Sequence, residues 1–358
     1  MSTNTKKMRA VDALHEAQKL AFSPMFFQAV MAIRNLGILA YISDGDDTAR
    51  IEDICRELKL SDYGVRLLVE ASEACGVLEI SDSGLLSLSK VGHFVLHDRM
   101  TQVNFNFVQD VCYEGAQAIE ECIRTGKPEG LKVFGEWPTV YEGLSQLPDD
   151  VKTSWFEFDH FYSDNAFAAA AKIVFSEETK YLFDIGGNTG KWSLHCCKYN
   201  DQVKIKILDL PGQLAVSRAN ATEHNLLNRI SFHQIDLLDT AQKIPAGANV
   251  IWMSQFLDCF SIEQIVAILK NVREASTNDT RIYILEPFFD NQKYEAAKHS
   301  LIGTSLYFTA IANGNSKMYS VEVMKNLIEQ AGLFVNNEYP LLDGSYHTLL
   351  ECRKKTAI

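Results

Sequence analysis

Hydrophobic positions follow two periods along the chain, and the change between them divides the sequence. Residues 10–42 repeat apolar side chains at helical spacing, from Leu14 to Leu39. From residue 180 onward, short apolar runs alternate with segments of helical spacing. This alternation predicts a mostly parallel sheet covered by helices. The last two apolar runs, at 334–339 and 347–353, predict a closing hairpin that contributes one antiparallel strand.

Residues 51–88 predict a helix, a second helix and a hairpin. The first helix covers 51–58, and Ser61 is placed to cap the second. Strand-like residues 77–80 and 85–88 flank a polar turn. This order is typical of a winged helix. The second helix carries Arg66 as its only basic residue, which favours a protein-contact module over a DNA-binding one.

The segment 100–180 is rich in aromatic residues and predicted to be mostly helical. Most of these rings are expected in the core. A dense aromatic segment directly before a ligand-binding domain also suits the wall of a pocket for a flat, apolar molecule.

A glycine-rich turn at 181–190 lies between an apolar strand and a helix. Its spacing, Asp184-x-Gly186-x-x-x-Gly190, differs from the dinucleotide motif because Asn188 replaces the second glycine. The backbone of such a turn can approach a ligand closely, and the helix start offers free N–H groups. The acidic residue before the turn suits a cationic amine rather than a pyrophosphate.

Two further strands also end in a carboxylate. Asp209 ends the second strand and is placed to accept the hydroxyls of a ribose. Asp236 ends the third, and the fourth runs over 249–254. Polar residues at the carboxyl ends of parallel strands predict a nucleoside site.

These ordered motifs resemble the nucleoside-binding half of class I S-adenosylmethionine-dependent methyltransferases. With the N-terminal arrangement, the resemblance extends to small-molecule O-methyltransferases of the plant phenolic, hydroxyindole and bacterial polyketide type. It implies an α/β, Rossmann-like methyltransferase fold with a seven-stranded sheet. The implied domains are a winged-helix dimerisation domain at 1–100, a helical linker and substrate region at 101–178, and an S-adenosylmethionine-binding domain at 179–358.

The resemblance also implies roles for individual residues. The implied cofactor-binding residues are Asp184, Gly186, Gly187, Gly190, Asp209, Leu210, Asp236, Leu237, Ser254, Gln255 and Ser163. The implied substrate-binding residues are His160, Phe161, Trp137, Tyr307 and Met318.

The catalytic motif departs from the family pattern. The family places a histidine base on the segment after strand four, and Asp258 holds that position here. An Asp of ordinary pKa ~3.9 matches a phenol of pKa ~10 poorly, although burial raises a carboxyl pKa. Glu286 remains as a supporting acid, whereas the stretch 313–320 lacks the family's other acid.

Three interpretations of this departure stay open. Asp258 acts as a weak base, another histidine replaces it, or the enzyme acts by proximity on an acceptor that is already acidic. The candidate histidines are His160, His299 and His347.

The leading hypothesis is a homodimeric, S-adenosylmethionine-dependent O-methyltransferase for a small aromatic or polyketide-like acceptor. One alternative keeps the cofactor but catalyses hydroxylation or decarboxylation, and another is a cofactor-sensing DNA-binding regulator. The chain has 34 basic and 46 acidic residues, and this net charge of −12 argues against nucleic acid and anionic membrane as partners. Eight scattered cysteines and no leader-like segment indicate a reduced, cytoplasmic protein without a metal site.

Overall fold

The computed structural model describes residues 8–45, 47–341 and 344–355, without the side chains of Ser163 and Asp164. The chain forms two compact units, Met1–Asn106 and Phe107–Ile358. The division into three domains proposed from the sequence stays a prediction.

The first unit is mainly helical, with one short hairpin. Gly37, in the left-handed region at φ +79°, separates its first two helices. The Ser61 hydroxyl accepts a hydrogen bond from the Gly64 N–H, as a helix cap should. The elements are α1 (Ala10–Asn35), α2 (Ile38–Asp44), α3 (Ile51–Leu58), α4 (Asp62–Ala74), β1 (Leu78–Ile80), β2 (Leu86–Leu88), α5 (Lys90–His97) and α6 (Arg99–Phe107).

The predicted order of helix, helix and hairpin is present in α3, α4, β1 and β2. Naming this unit a winged helix stays a prediction. Within the described residues, no single helix is long and apolar enough to cross a membrane. Helices α1 and α2 reach that length and composition only together, across a 53° bend.

The second unit begins with helices and short turns that surround an aromatic cluster. Phe107, Trp155 and Tyr307 belong to this cluster, which joins distant parts of the chain. The helices before the sheet are α7 (Ile119–Thr125), α8 (Val140–Gly143), α9 (Asp149–Ser163) and α10 (Phe167–Val174).

A seven-stranded sheet forms the centre of the second unit, in the order β5-β4-β3-β6-β7-β9-β8. β9 alone runs in the direction opposite to the other six strands, which confirms the predicted sheet. The remaining elements are β3 (Tyr181–Ile185), α11 (Lys191–Tyr199), β4 (Lys204–Asp209), α12 (Pro211–Glu223), β5 (Ile230–Gln234), β6 (Val250–Ser254), α13 (Ile262–Ala275), β7 (Arg281–Glu286), α14 (Glu295–Tyr307), α15 (Val321–Gln330), β8 (Leu333–Tyr339) and β9 (Thr348–Lys354).

Helices cover both faces of this sheet, so the strands are buried on both sides. Every residue of β7 is buried. Separate hydrophobic cores fill the two faces, one around Ile251 and Ile284 and the other around Trp252 and Tyr283. Adjacent strand residues thus point to opposite cores, and the open edge at the carboxyl ends of the parallel strands is left for a ligand.

Candidate active site

The glycine-rich turn joins β3 to α11 and depends on unusual backbone angles. Gly186 and Gly190 have φ of +68° and +79°, and Asn188 has φ +47°. A Cβ on Gly186 would lie 2.1 Å from the Phe256 ring. This position therefore requires glycine for both conformation and space.

The Asp209 carboxylate, at the end of β4, is held by backbone groups. Its Oδ2 accepts from the Asn188 N–H at 2.9 Å, and its Oδ1 accepts from the Leu210 N–H at 2.7 Å. Burial raises the pKa of Asp209 to about 6, opposed by these two hydrogen bonds. Each oxygen keeps a lone pair for a ligand hydroxyl.

Asp184 is buried at the base of the turn. It is 2% exposed, and its Oδ2 accepts a 2.6 Å hydrogen bond from the Ser193 hydroxyl. Burial raises its pKa to about 7, the Ser193 hydrogen bond lowers it, and the nearby Asp209 raises it. This hydrogen bond connects the residue before the turn to Ser193 of α11.

A cavity of about 420 Å³ opens beside these strand ends. We call one side of it the turn end, which is lined by Gly186, Asn188, Asp209, Leu210, Asp236 and Leu237. We call the other side the aromatic end, which is lined by Phe107, Tyr141, Trp155, Phe158, Tyr307, Phe308, Met318, Asp258, Cys259 and Asn313.

A smaller cleft of about 70 Å³ lies on the other side of the turn. The cavity and the cleft share Asp159, Gly186, Asn188 and Gln255 as lining residues. The cleft is also lined by His160, Asp184, Gly187, Lys191 and Ser254.

The rings of the aromatic end are fixed by packing and by one hydrogen bond. Trp155 Nε1 donates to the Tyr307 hydroxyl at 2.7 Å, and Phe107 stacks on Phe158 with centroids 3.9 Å apart. The Tyr141 hydroxyl is buried and has no hydrogen-bond partner among the described residues. Flat walls with a few fixed polar groups suit an aromatic ligand.

Two buried carboxyl groups, Asp258 and Glu286, lie next to each other behind this end. Glu286 Oε1 accepts from the N–H groups of Phe256 and Leu257 at 3.1 and 2.9 Å, which fixes the loop after β6. Asp258 lines the cavity, whereas Glu286 lines neither the cavity nor the cleft. Glu286 therefore contacts the loop that carries Asp258 and does not face either space.

The two groups have different proton affinities. Burial raises the pKa of Asp258 to about 6, and the Cys259 thiol, 3.5 Å from its Oδ1, lowers it. Burial is the main cause, and repulsion from Asp258 the second, of a Glu286 pKa well above its usual range. Both shifts favour the protonated carboxyl, and the shift of the Glu286 pKa is the larger one.

The residues predicted to bind substrate do not all line the same space. Tyr307 and Met318 line the aromatic end, and His160 lines the smaller cleft. Trp137 packs against the aromatic cluster and Phe161 against Tyr162, and neither lines the cavity or the cleft.

Among the predicted cofactor residues, Gly190 forms the N-cap of α11 and lines neither space. The side chain of Ser163 lies outside the described part of the chain. The other nine line the cavity, the cleft or both.

The alternative histidine bases do not reach the aromatic end. His299 is exposed on α14, and His347 is fully buried without a hydrogen-bond partner for either ring nitrogen among the described residues. No histidine is among the described residues that line the main cavity. Nor do the described residues contain a group of three or more His, Cys, Asp or Glu placed to hold a metal ion.

Several polar residues at this site were not predicted from the sequence. Tyr141, Cys259 and Asn313 line the aromatic end, and they come from three separate segments. Asn313 Nδ2 donates to the Cys259 carbonyl at 2.8 Å and so ties two of these segments together. No local motif marks them, because long-range packing alone unites them.

Comparison with known proteins identifies the family. Residues 161–334 match the O-methyltransferase domain, and residues 15–84 match the Dimerisation2-like domain. Together these regions make up more than half of the chain. The chain belongs to the family of S-adenosylmethionine-dependent O-methyltransferases, in which a dimerisation domain precedes the catalytic one.

One curated relative is an L-tyrosine C(3)-methyltransferase from Streptomyces lavendulae. It is 21% identical over 316 residues, which span 87% of this chain and 85% of that protein. At this level of identity the acceptor is not transferable by similarity alone.

Two solved structures show the same fold. The S-adenosylmethionine-dependent methyltransferase SibL aligns with a TM-score of 0.71 and 19% identity over 96% of this chain and all of that one. NcsB1, solved with S-adenosylmethionine and 2-hydroxy-5-methyl naphthoic acid, aligns with a TM-score of 0.64 and 20% identity over 93% of this chain and 96% of that one. The Rossmann-like methyltransferase fold is thereby confirmed.

Proposed function

We propose that S-adenosylmethionine lies along the turn end, with its ribose hydroxyls on Asp209. Its adenine would contact Leu210, Asp236 and Leu237, which line the same end. Its amino-acid part would extend past Gly186 toward the smaller cleft. There Lys191 and His160 suit a carboxylate, and Asp159 suits an ammonium group.

Two features of the structure support the fit of this cofactor. Gln255, at the end of β6, has φ +45° and a buried Oε1 without a hydrogen-bond partner among the described residues. Because Gln255 lines both spaces, this oxygen is available to a ligand that passes between them. The carboxylates at the turn end also complement a cofactor that carries a sulfonium charge.

We propose that the acceptor is a small hydroxylated aromatic molecule, bound at the aromatic end and methylated on oxygen. The observation that carries this proposal is Asp258, which lines that end with a pKa near 6. An ionised Asp258 can accept the hydroxyl proton as the oxygen attacks the methyl group. The cofactor supplies that methyl group when it is bound.

The other residues of the aromatic end would orient the acceptor. The hydrogen-bonded pair of Trp155 and Tyr307 fixes one wall, and the Tyr141 hydroxyl, beside the Cys259 thiol, offers a donor. Glu286 would hold the loop that carries Asp258. Because methyl transfer is an in-line displacement, such positioning contributes much of the rate.

Calorimetric titration with S-adenosylmethionine and S-adenosylhomocysteine tests the cofactor site. We expect micromolar binding by the wild type and its loss in Asp209→Ala, with Asp201→Asn, an exposed carboxylate change, as the control. Phenolic acceptors are then screened for methyl transfer. Absence of binding by the wild type would contradict the proposed function.

A ring carbon is a second candidate for the methylated atom. The relative that methylates C3 of L-tyrosine is similar over most of both chains. A base that removes the phenol proton serves both reactions, since a phenolate is nucleophilic at oxygen and at the ortho ring carbon, and the methylated ring carbon then loses its own proton to restore the aromatic ring. NMR of the methylated product separates an O-methyl ether from a C-methyl phenol.

We also propose that the protein is a homodimer formed through its N-terminal domain. Helix α1 exposes large apolar side chains, among them Leu20 at 77% and Met25 at 70%. An exposed apolar face of this size in a Dimerisation2-like domain suits contact with a second copy. Light scattering should give a dimer for the wild type and a monomer for a Leu20→Lys, Met25→Lys variant.

A further inference from the structure

The charges at the aromatic end are all of one sign. Asp258 lines it, and Glu286 lies directly behind. None of the described residues lining the main cavity is a lysine, arginine or histidine. Lys191 and His160 line the smaller cleft and not the main cavity.

This distribution of charged side chains restricts the charge that a bound acceptor can carry. An anionic substituent buried at the aromatic end would meet no opposite charge from the lining side chains and would lie near the Asp258 carboxyl. Burying an unpaired carboxylate is costly, and a like charge nearby adds to the cost. The polar side chains Tyr141, Asn313 and Cys259 line this end without a positive charge, so they provide no ionic partner for an anion.

We propose that this enzyme takes hydroxylated aromatic acceptors that are uncharged or carry an amine, and that it discriminates against acceptors with a carboxylate. The inference rests on the proposed function, because it assigns the aromatic end to the acceptor. It also separates this chain from two of the proteins compared above, since L-tyrosine and 2-hydroxy-5-methyl naphthoic acid both carry a carboxylate.

A matched series of naphthols tests the proposal. The protein, saturated with S-adenosylhomocysteine, is titrated with 6-methyl-2-naphthol, 6-(aminomethyl)-2-naphthol and 6-hydroxy-2-naphthoate. We expect the neutral and amine compounds to bind at least about tenfold more tightly than the carboxylate. Equal or tighter binding of the carboxylate would overturn the proposal, and so would failure of all three to bind.

A charge substitution in the cavity wall provides the reciprocal test. Met318, buried at the aromatic end, can be changed to lysine at similar length. Met318→Lys should improve binding of the naphthoate and weaken that of the amine, each by roughly tenfold, while the neutral control Met318→Gln keeps the wild-type order. An unchanged order in Met318→Lys, with the fold intact by circular dichroism, would count against the proposal.

The titrations distinguish failure of this inference from failure of the proposed function. If S-adenosylhomocysteine does not bind, the cofactor site is wrong, and repeating the naphthol series without it still tests the charge preference. If S-adenosylhomocysteine binds and the naphthoate binds best, only the charge preference is wrong.

Discussion

The two ends of the main cavity are built in different ways. At the turn end, backbone groups within a short stretch of sequence hold the key carboxylate, as Asn188 and Leu210 hold Asp209. At the aromatic end, side chains from Phe107 to Met318 meet through long-range packing. The turn end is therefore fixed by backbone geometry, whereas the chemistry of the aromatic end depends on which side chains the packing presents.

Replacing Asp258 should have the largest effect on catalysis. This effect should be confined to the aromatic end. Asp258→Asn keeps the shape of the side chain but removes the base, so we expect kcat to fall by about 10²- to 10⁴-fold. Binding of S-adenosylhomocysteine should not change. In the wild type, kcat should rise with pH through about 6 as Asp258 loses its proton.

An unchanged kcat in Asp258→Asn would remove this residue from the mechanism. Catalysis would then rest on positioning of an acceptor that ionises without a base. Loss of S-adenosylhomocysteine binding in the same variant would show that the two ends are not independent.

A methyl group at Gly186 should damage the turn end. The added Cβ meets the Phe256 ring at 2.1 Å and needs a positive φ, so Gly186→Ala should cost about 1–3 kcal/mol. We expect S-adenosylhomocysteine affinity to fall by roughly tenfold or more as the turn shifts. Gly212→Ala is the matched control, because a Cβ there has no atom within 4 Å. Equal affinities in the two variants would contradict this account.

Acid should weaken cofactor binding through the turn end. Asp209 accepts ribose hydroxyls best when ionised, and its pKa is about 6. Calorimetry from pH 8 to 5 should show a nearly constant S-adenosylhomocysteine Kd above pH 7, and below pH 6 a loss approaching about tenfold per pH unit. In Asp209→Asn the pH dependence should be reduced, and persistence of the full dependence would point to another group, such as Asp184.

Acid should weaken cofactor binding but should raise the stability of the ligand-free protein. We expect this effect on stability to be the smallest of those described. The folded pKa values of Asp184, Asp209 and Asp258, about 7, 6 and 6, lie above the ~3.9 of an unfolded Asp. At these three groups the folded state binds more protons, so their contribution to stability falls as pH rises from about 4 to 7, whereas buried His347, with a pKa of about 4, gives a smaller contribution of opposite sign. We expect Tm to rise by a few degrees from pH 8 to 5 in calorimetric scans, and a decrease would contradict the assigned protonation states.

The sequence by itself determined the sheet and the turn end. Strands and helices of the second unit follow from alternating apolar runs, because burial on both faces requires continuous hydrophobic strands. Asp184, Gly186, Asp209 and Asp236 were identifiable because the carboxyl ends of parallel strands meet at one edge. The family resemblance also predicted that Asp258 stands at the position where the family has a histidine.

Only the tertiary structure decided what surrounds Asp258. Burial raises its pKa, and Glu286 from β7 fixes its loop, although the two lie far apart in sequence. In the structure, Asp184 lies at the base of the turn and accepts a hydrogen bond from Ser193. Trp137 and Phe161, predicted to bind substrate, do not line the cavity. Such outcomes depend on which side chains are desolvated together, and local sequence does not encode that.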